Sequence, residues 1–302
     1  MRCRLTGSSW ARAAAALLAI SAALADAAHG QAESELGTYE RNALGDALRR
    51  TGLTVSAAPH GRFVGKIHVV NLDVFSERDG YLDIFNIFHL TTRDYVVERE
   101  VLLRPGQMWD QEVIDESARK LRDPIFTTLV VIVPVEPLSG KADEIDLLVV
   151  TRDVWSLRLN SEIEFQGEKL ARLLIAPSEN NFLGRRKLAS MVFDMDLGEY
   201  EVGPLYLDKN VLGKRWQMQL SAAAVFGRET SDLEGESVGL SIVRPFWSLS
   251  SRWSGGLALS HRDDRFRSFE GAEVRTYTVP DDVEPCGGAQ APVNFPLRQQ
   301  RL

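Results

Sequence analysis

The chain has 302 residues, a formal net charge of −7, 44% apolar residues and 25% charged ones. That length admits two domains of ordinary size, and the composition excludes a disordered tail or a multi-helix membrane protein. The acidic balance argues against nucleic acid as a partner, because phosphate binding needs a basic face.

The first 32 residues stand apart. Arg2, Arg4 and Arg12 precede an apolar run from Ala13 to Ala25, with small residues at Ala23, Ala25 and Ala32. A basic start, a short apolar centre and A-x-A-like cleavage options describe a secretory signal peptide. The run is too short to anchor as a spanning helix. Cleavage removes Cys3 and leaves Cys286 alone, so the sequence predicts no disulfide.

Residues 33–61 read as an N-terminal helix and linker. Leu36, Tyr39, Ala43, Leu44, Ala47 and Leu48 recur at helical spacing over Glu35–Arg50, and Thr51–Gly61 is a connector. Residues 62–154 mix both periods. Lys66–Phe75 is rich in β-branched residues and reads as a strand. Thr92–Leu103 reads as a helix ended by the turn Arg104-Pro105-Gly106. A second helix starts at the capping residue Asp110, with Trp109 and Ile114 at staple positions. Phe126–Val135 and Ile145–Arg152 follow as strands. The order β-α-α-β-β is a small two-layer unit, helices over one sheet face.

From Trp155 strict alternation takes over, in Trp155–Phe165, Lys187–Leu197 and Trp216–Phe226. Weaker strands fit Leu170–Pro177, Glu201–Asp208, Ser237–Arg244 and Trp253–His261. About seven strands over residues 155–264 have the length of tilted membrane strands. A soluble sandwich also alternates, so the period alone leaves both architectures open. Aromatic placement separates them. With turns counted alternately, Trp155, Trp216, Trp247 and Trp253 fall at one rim, and Phe165, Tyr200 and Phe226 at the other. Two girdles one strand apart suit a transmembrane barrel. A short repeat, Asn181-Phe182-Leu183-Gly184-Arg185-Arg186 and Asn210-Val211-Leu212-Gly213-Lys214-Arg215, is spaced to put both copies at one rim. Residues 265–302 hold four prolines and read as a loop or irregular tail.

These segments resemble the BamA/TamA-type outer-membrane assembly factors. The β-α-α-β-β unit is similar to their POTRA domain, and the helix–Arg104-Pro105-Gly106–helix passage to a turn of that domain. Glu179-Asn180-Asn181-Phe182-Leu183-Gly184 and Asp208-Lys209-Asn210-Val211-Leu212-Gly213 resemble the N-x-L-G turns of the first barrel hairpins. The turn residues carried over are Asn181, Gly184, Asn210 and Gly213. Residues 76–91 are an insertion that the family pattern lacks. The family barrel has sixteen strands, so the resemblance implies an α+β POTRA domain followed by antiparallel transmembrane strands of a barrel incomplete in this chain. Val243-Arg244-Pro245-Phe246 imitates the family's inward loop motif with Pro for Gly, and no role is carried over.

The resemblance further implies a protein of the cell outer membrane with its POTRA domain in the periplasm, without enzymatic activity or cofactors. Its partners would be unfolded outer-membrane or secreted clients, outer-membrane lipid and periplasmic assembly lipoproteins. Clients would be held by β-augmentation on an exposed strand edge. The edge expected by analogy is that of Phe126, Thr128, Val130 and Ile132, with Pro134 limiting the pairing. The rival readings are a secretion pore for one dedicated passenger and a soluble periplasmic adaptor built on a β-sandwich.

Other chemistry lacks its context. Gly235-Glu236-Ser237-Val238-Gly239 matches a nucleophile elbow, but no helix follows, and no acid lies between Ser237 and His261. Asp194, Asp196 and Glu199 lack the spacing of a calcium loop, and the histidines lack metal-ligand spacing.

Overall fold

The computed structural model describes residues 36–74, 90–282 and 287–301. The predicted signal peptide, most of the 76–91 insertion and Cys286 lie outside them. The chain divides after Val154 into two units, and the described residues 90–92 cluster with the second.

In the first unit the elements are α1 (Thr38–Thr51), β1 (Phe63–Leu72), α2 (Asp94–Glu98), α3 (Gln111–Leu121), β2 (Thr127–Val135) and β3 (Glu144–Asp153). The sheet order is β1-β3-β2, with β1 parallel and β2 antiparallel to the central β3. Ile145 through Val150 are all buried, as a strand covered on both faces requires. Ile145, Leu147 and Val149 pack with Val97, Val101, Ile114 and Leu121 on the face carrying α2 and α3. Leu148 and Val150 pack with Ala43, Leu44, Ala47, Leu129 and Val131 under α1. The unit therefore has three layers rather than the expected two, and α1 is the third.

Local chemistry accounts for the elements. Asp110 caps α3, its carboxylate accepting from the Val113 amide at 3.3 Å, and Trp109 and Ile114 are both buried in one cluster. The helix expected over Thr92–Leu103 is only Asp94–Glu98. Past it, the Leu102 amide donates to Ser117 Oγ at 3.0 Å, which swings Val101 and Leu103 into the core as irregular chain. The first strand begins and ends about three residues earlier than its composition predicts. Its outer side at Val64 exchanges hydrogen bonds with Gly106 and Gln107 at 2.7 and 2.8 Å, so the Pro-Gly turn is stitched to the sheet.

The second unit is mostly antiparallel sheet: β4 (Leu157–Gln166), β5 (Lys169–Glu179), β6 (Lys187–Met195), β7 (Glu199–Val211), β8 (Trp216–Gly227), β9 (Leu233–Arg244) and β10 (Gly255–Arg267). Two small ribbons follow, β11–β12 within Phe269–Val274 and β13–β14 within Thr276–Pro292, and then β15 (Asn294–Arg301). The eight-stranded sheet runs β15-β10-β9-β8-β7-β6-β5-β4. The tail is thus not irregular, and the strand count is eight rather than seven. β15 escapes an alternation test because Pro296 interrupts it. Proline is admitted there because β15 pairs on one side only, with β10. Among the described residues β4 and β15 do not pair, so the sheet is open.

Candidate functional site: two faces, two rims and a strand edge

Register assigns each residue of the large sheet to a face. Leu220, Leu240 and Leu259 stand opposite one another across β8, β9 and β10, as do Met218, Ile242 and Leu257. Across β6, β7 and β8 the same face carries Phe193, Val202 and Ala224, then Met195, Tyr200 and Phe226. On β4 it carries Leu159, Ile163 and Phe165, exposed to 65%, 60% and 68%. A continuous exposed apolar face of this extent is not a surface that water tolerates.

The opposite face is charged. Arg172 reaches Asp194 at 3.0 Å and Glu162 at 3.7 Å. Arg262 reaches Glu201 at 3.1 Å and also contacts Glu199 and Asp264. Apolar residues on one side and paired charges on the other reproduce the division between lipid and lumen in a membrane barrel. Ser237, the serine of the elbow-like string, stands within β9 opposite Arg262 and Ala223. It lies on a continuous strand rather than at a strand-to-helix turn.

The turns make two rims. The first carries residues 180–186, 212–215 and 245–254, and the second carries 167–168, 196–198 and 228–232. Trp216 and Trp253 meet edge to face at the first rim, with centroids 6.2 Å apart. Tyr200 stacks on Phe226 at the second, at 5.1 Å.

Both copies of the repeat sit at the first rim and share one conformation. Asn181 Oδ1 accepts from the Arg186 amide at 2.9 Å, and Asn210 Oδ1 from the Arg215 amide at 2.8 Å. The Gly184 and Gly213 amides donate to the carbonyls of Asn181 and Asn210. Left-handed backbone recurs at Leu183, Gly184 and Arg186, and again at Leu212, Gly213 and Arg215. Glycine occupies the middle position, where that conformation has no steric cost. One signal escaped the sequence reading. The acid two residues before each Asn is part of the motif, since Glu179 accepts from the Asn181 amide at 2.7 Å and Asp208 from the Asn210 amide at 2.9 Å. Asn181 also donates through Nδ2 to the Leu90 carbonyl at 2.7 Å, which ties one residue of the insertion to the second unit.

In the first unit the predicted client edge is shorter than its composition implies. β2 is an edge strand. Phe126, however, lies before it, buried, with its carbonyl accepting from Val154 at 3.0 Å. Thr128 sits at a register shift, and its hydroxyl donates to the Arg152 carbonyl. The Pro134 carbonyl points outward, accepting from the Ser56 amide at 2.9 Å, so Val130 and Ile132 share its outward row. Arg122 donates to the Val130 carbonyl at 3.2 Å. Thr54 and Ser56 cover the end of the row by pairing around Val135, and the bidentate Arg62–Glu136 pair braces them at 2.9 and 3.1 Å. That guanidinium holds the Glu136 carboxyl below its ordinary value of 4.5. The segment read as a plain connector is therefore the stop at one end of the edge. Val130 is 1% exposed, so its amide is out of reach, and among the described residues the open backbone groups of this row are those of Ile132.

No family model matches the chain, and no curated protein matches it. In structure it is similar to the BamA of Haemophilus ducreyi lacking POTRA domains 1–3, with 14% identity and a TM-score of 0.49 over 79% of this chain and 42% of that one. It is also similar to CdiB from Acinetobacter baumannii, with 11% identity and a TM-score of 0.44 over 68% of this chain and 38% of that one. The chain spans less than half the length of either protein.

Proposed function

We propose that this chain is a non-enzymatic outer-membrane component that receives unfolded polypeptide on a periplasmic POTRA-like unit and helps to insert it through a lipid-facing sheet. The observation that carries the membrane half is the exposed apolar face, continuous from β4 to β10, set against a charged opposite face. It favours a barrel over a soluble sandwich, which would bury that face against a second sheet. The β-α-α-β-β order of β1 to β3 and the two repeated Asn-Gly turns support the assembly-factor reading over a generic barrel.

The means of capture is β-augmentation, in which a client strand pairs with open backbone groups. β2 offers a window at Ile132, closed at one end by Thr54–Ser56 and at the other by the buried Val130 and Arg122. β4 offers a full-length edge, since among the described residues it pairs with β5 alone. The two edges therefore divide the work, with weak, short capture on β2 and longer pairing along β4.

The first test is fractionation of the exported protein. It should pellet with membranes and require detergent for extraction. Recovery in the supernatant without detergent would refute the membrane reading. The second test is Ile132→Pro, which removes one outward amide without touching the β2–β3 ladder. Crosslinking to an unfolded outer-membrane protein should fall several-fold. Unchanged crosslinking would refute capture on β2.

A further inference from the structure

The two rims differ sharply in charge. The turns of the first rim, taken over 179–187, 208–216 and 244–254, hold eight Lys or Arg and two acids. Both acids are engaged locally, Glu179 and Asp208 by the turn amides, and Asp208 again by Lys187 at 2.9 Å. The second rim, over 166–169, 195–200 and 227–234, holds two Lys or Arg and six acids. The first rim also carries large apolar side chains on its tips. Leu212 is 84% exposed, Leu249 87% and Phe246 67%, with Leu183 and Phe182 beside them. Two of these leucines, Leu183 and Leu212, hold φ of 59° and 51°, a left-handed conformation that a leucine rarely adopts. A strained backbone that presents the same apolar residue outward twice points to a use for that residue. Around them Arg215 lies over Trp247 at 3.8 Å and Arg244 over Trp253 at 4.2 Å, a pairing that places cations and indoles at one depth.

We propose that the first rim anchors in the headgroup layer of an anionic bilayer. Leu183, Leu212, Phe246 and Leu249 enter the acyl boundary, while the exposed Lys214 and Arg252 hold lipid phosphates and Arg215 and Arg244 stay against their indoles. Apolar tips interleaved with cations are the combination that binds a negatively charged lipid surface. An acidic protein partner would match the charge but not the indoles and apolar tips gathered at one rim. This proposal rests on the apolar face being lipid-facing, and it adds an orientation: the first rim is seated in anionic lipid, and the acidic second rim is not.

The test places an environment-sensitive fluorophore at Leu212→Cys, and independently at Leu183→Cys, in the full chain with Cys3 and Cys286 replaced by serine. A third label at Leu240→Cys reports the apolar face. Each protein is reconstituted in phosphatidylcholine vesicles with and without phosphatidylglycerol, both carrying a nitroxide quencher at a shallow acyl position. The rim labels should be quenched several-fold more with phosphatidylglycerol, and the Leu240→Cys label equally in both. Lys214→Glu combined with Arg252→Glu should abolish the increment at the rim. Rim labels that stay unquenched while Leu240→Cys is quenched would overturn the anchor and leave the membrane reading intact, pointing to water or protein at the rim. Rim quenching that ignores phosphatidylglycerol, or survives the charge reversal, would overturn the anionic preference. A Leu240→Cys label unquenched in every vesicle would overturn the membrane reading itself.

Discussion

Helix α1 covers one whole face of the first sheet, and a single side chain tests that. Leu44 is 3% exposed and packs among Ala47, Leu129, Leu148 and Val150. Leu44→Ala removes three buried carbons above a sheet whose other face is held by a different cluster, so the void does not close by collapse from both sides. Such truncations cost about 2–5 kcal/mol. For a unit of this size each kcal/mol lowers Tm by about 4 °C, so a drop of about 8–20 °C is expected. Ala47 is fully buried and sets how closely the helix approaches; Ala47→Leu on its own should cost ~1–3 kcal/mol by overpacking. The assay is thermal circular dichroism of a 36–154 fragment. A 62–154 fragment, which leaves Leu72, Leu129, Val131, Val135, Leu148 and Val150 uncovered, should melt without cooperativity. If Leu44→Ala shifts Tm by only a degree or two, or if 62–154 melts as sharply as 36–154, α1 is an appendage and the three-layer description is wrong.

Three further outcomes follow from the same reasoning. Gly203→Val should abolish folding of the large sheet, because a Cβ there lies 1.8 Å from the Ala222 carbonyl oxygen, whereas Gly255→Ala, which meets open space, should leave the far-ultraviolet β signal of the detergent-extracted protein unchanged. Leu240→Arg should cost about 2–4 kcal/mol in a lipid-facing strand, read as loss from the membrane fraction, while Ser241→Arg on the charged face should be tolerated. Arg62→Met should remove the support that depresses the Glu136 carboxyl. A lowered carboxylate stabilises the fold above its unfolded pKa and loses that effect as pH falls through its folded value. The variant should therefore be less stable than the parent at neutral pH, by at most ~1 kcal/mol for a half-exposed pair, and equal to it once acid titrates Glu136.

Features that depend on neighbours within one or two turns were legible in the chain before folding. Alternation assigned the apolar and charged faces of β4, β6 and β8 because the side-chain period of a strand is invariant. The Asn-x-Leu-Gly repeat was visible because its hydrogen bonds close within six residues, and Asp110 was legible as a cap because the Val113 amide that donates to it lies three residues away. Tertiary structure decided the rest. Helical spacing in 38–51 cannot say which surface the helix covers, although the unbroken buried run Ile145–Val150 is itself the mark of a strand covered twice. The helix expected through Leu103 ends at Glu98 because Ser117, distant in sequence, captures the Leu102 amide. β15 is a strand only because β10 supplies its partner, so its Pro296 and weak alternation conceal it. The client edge shrank to Ile132 for a similar reason: whether a backbone group is open depends on what folds back across it, and Thr54, Ser56 and Arg122 arrive from elsewhere in the chain.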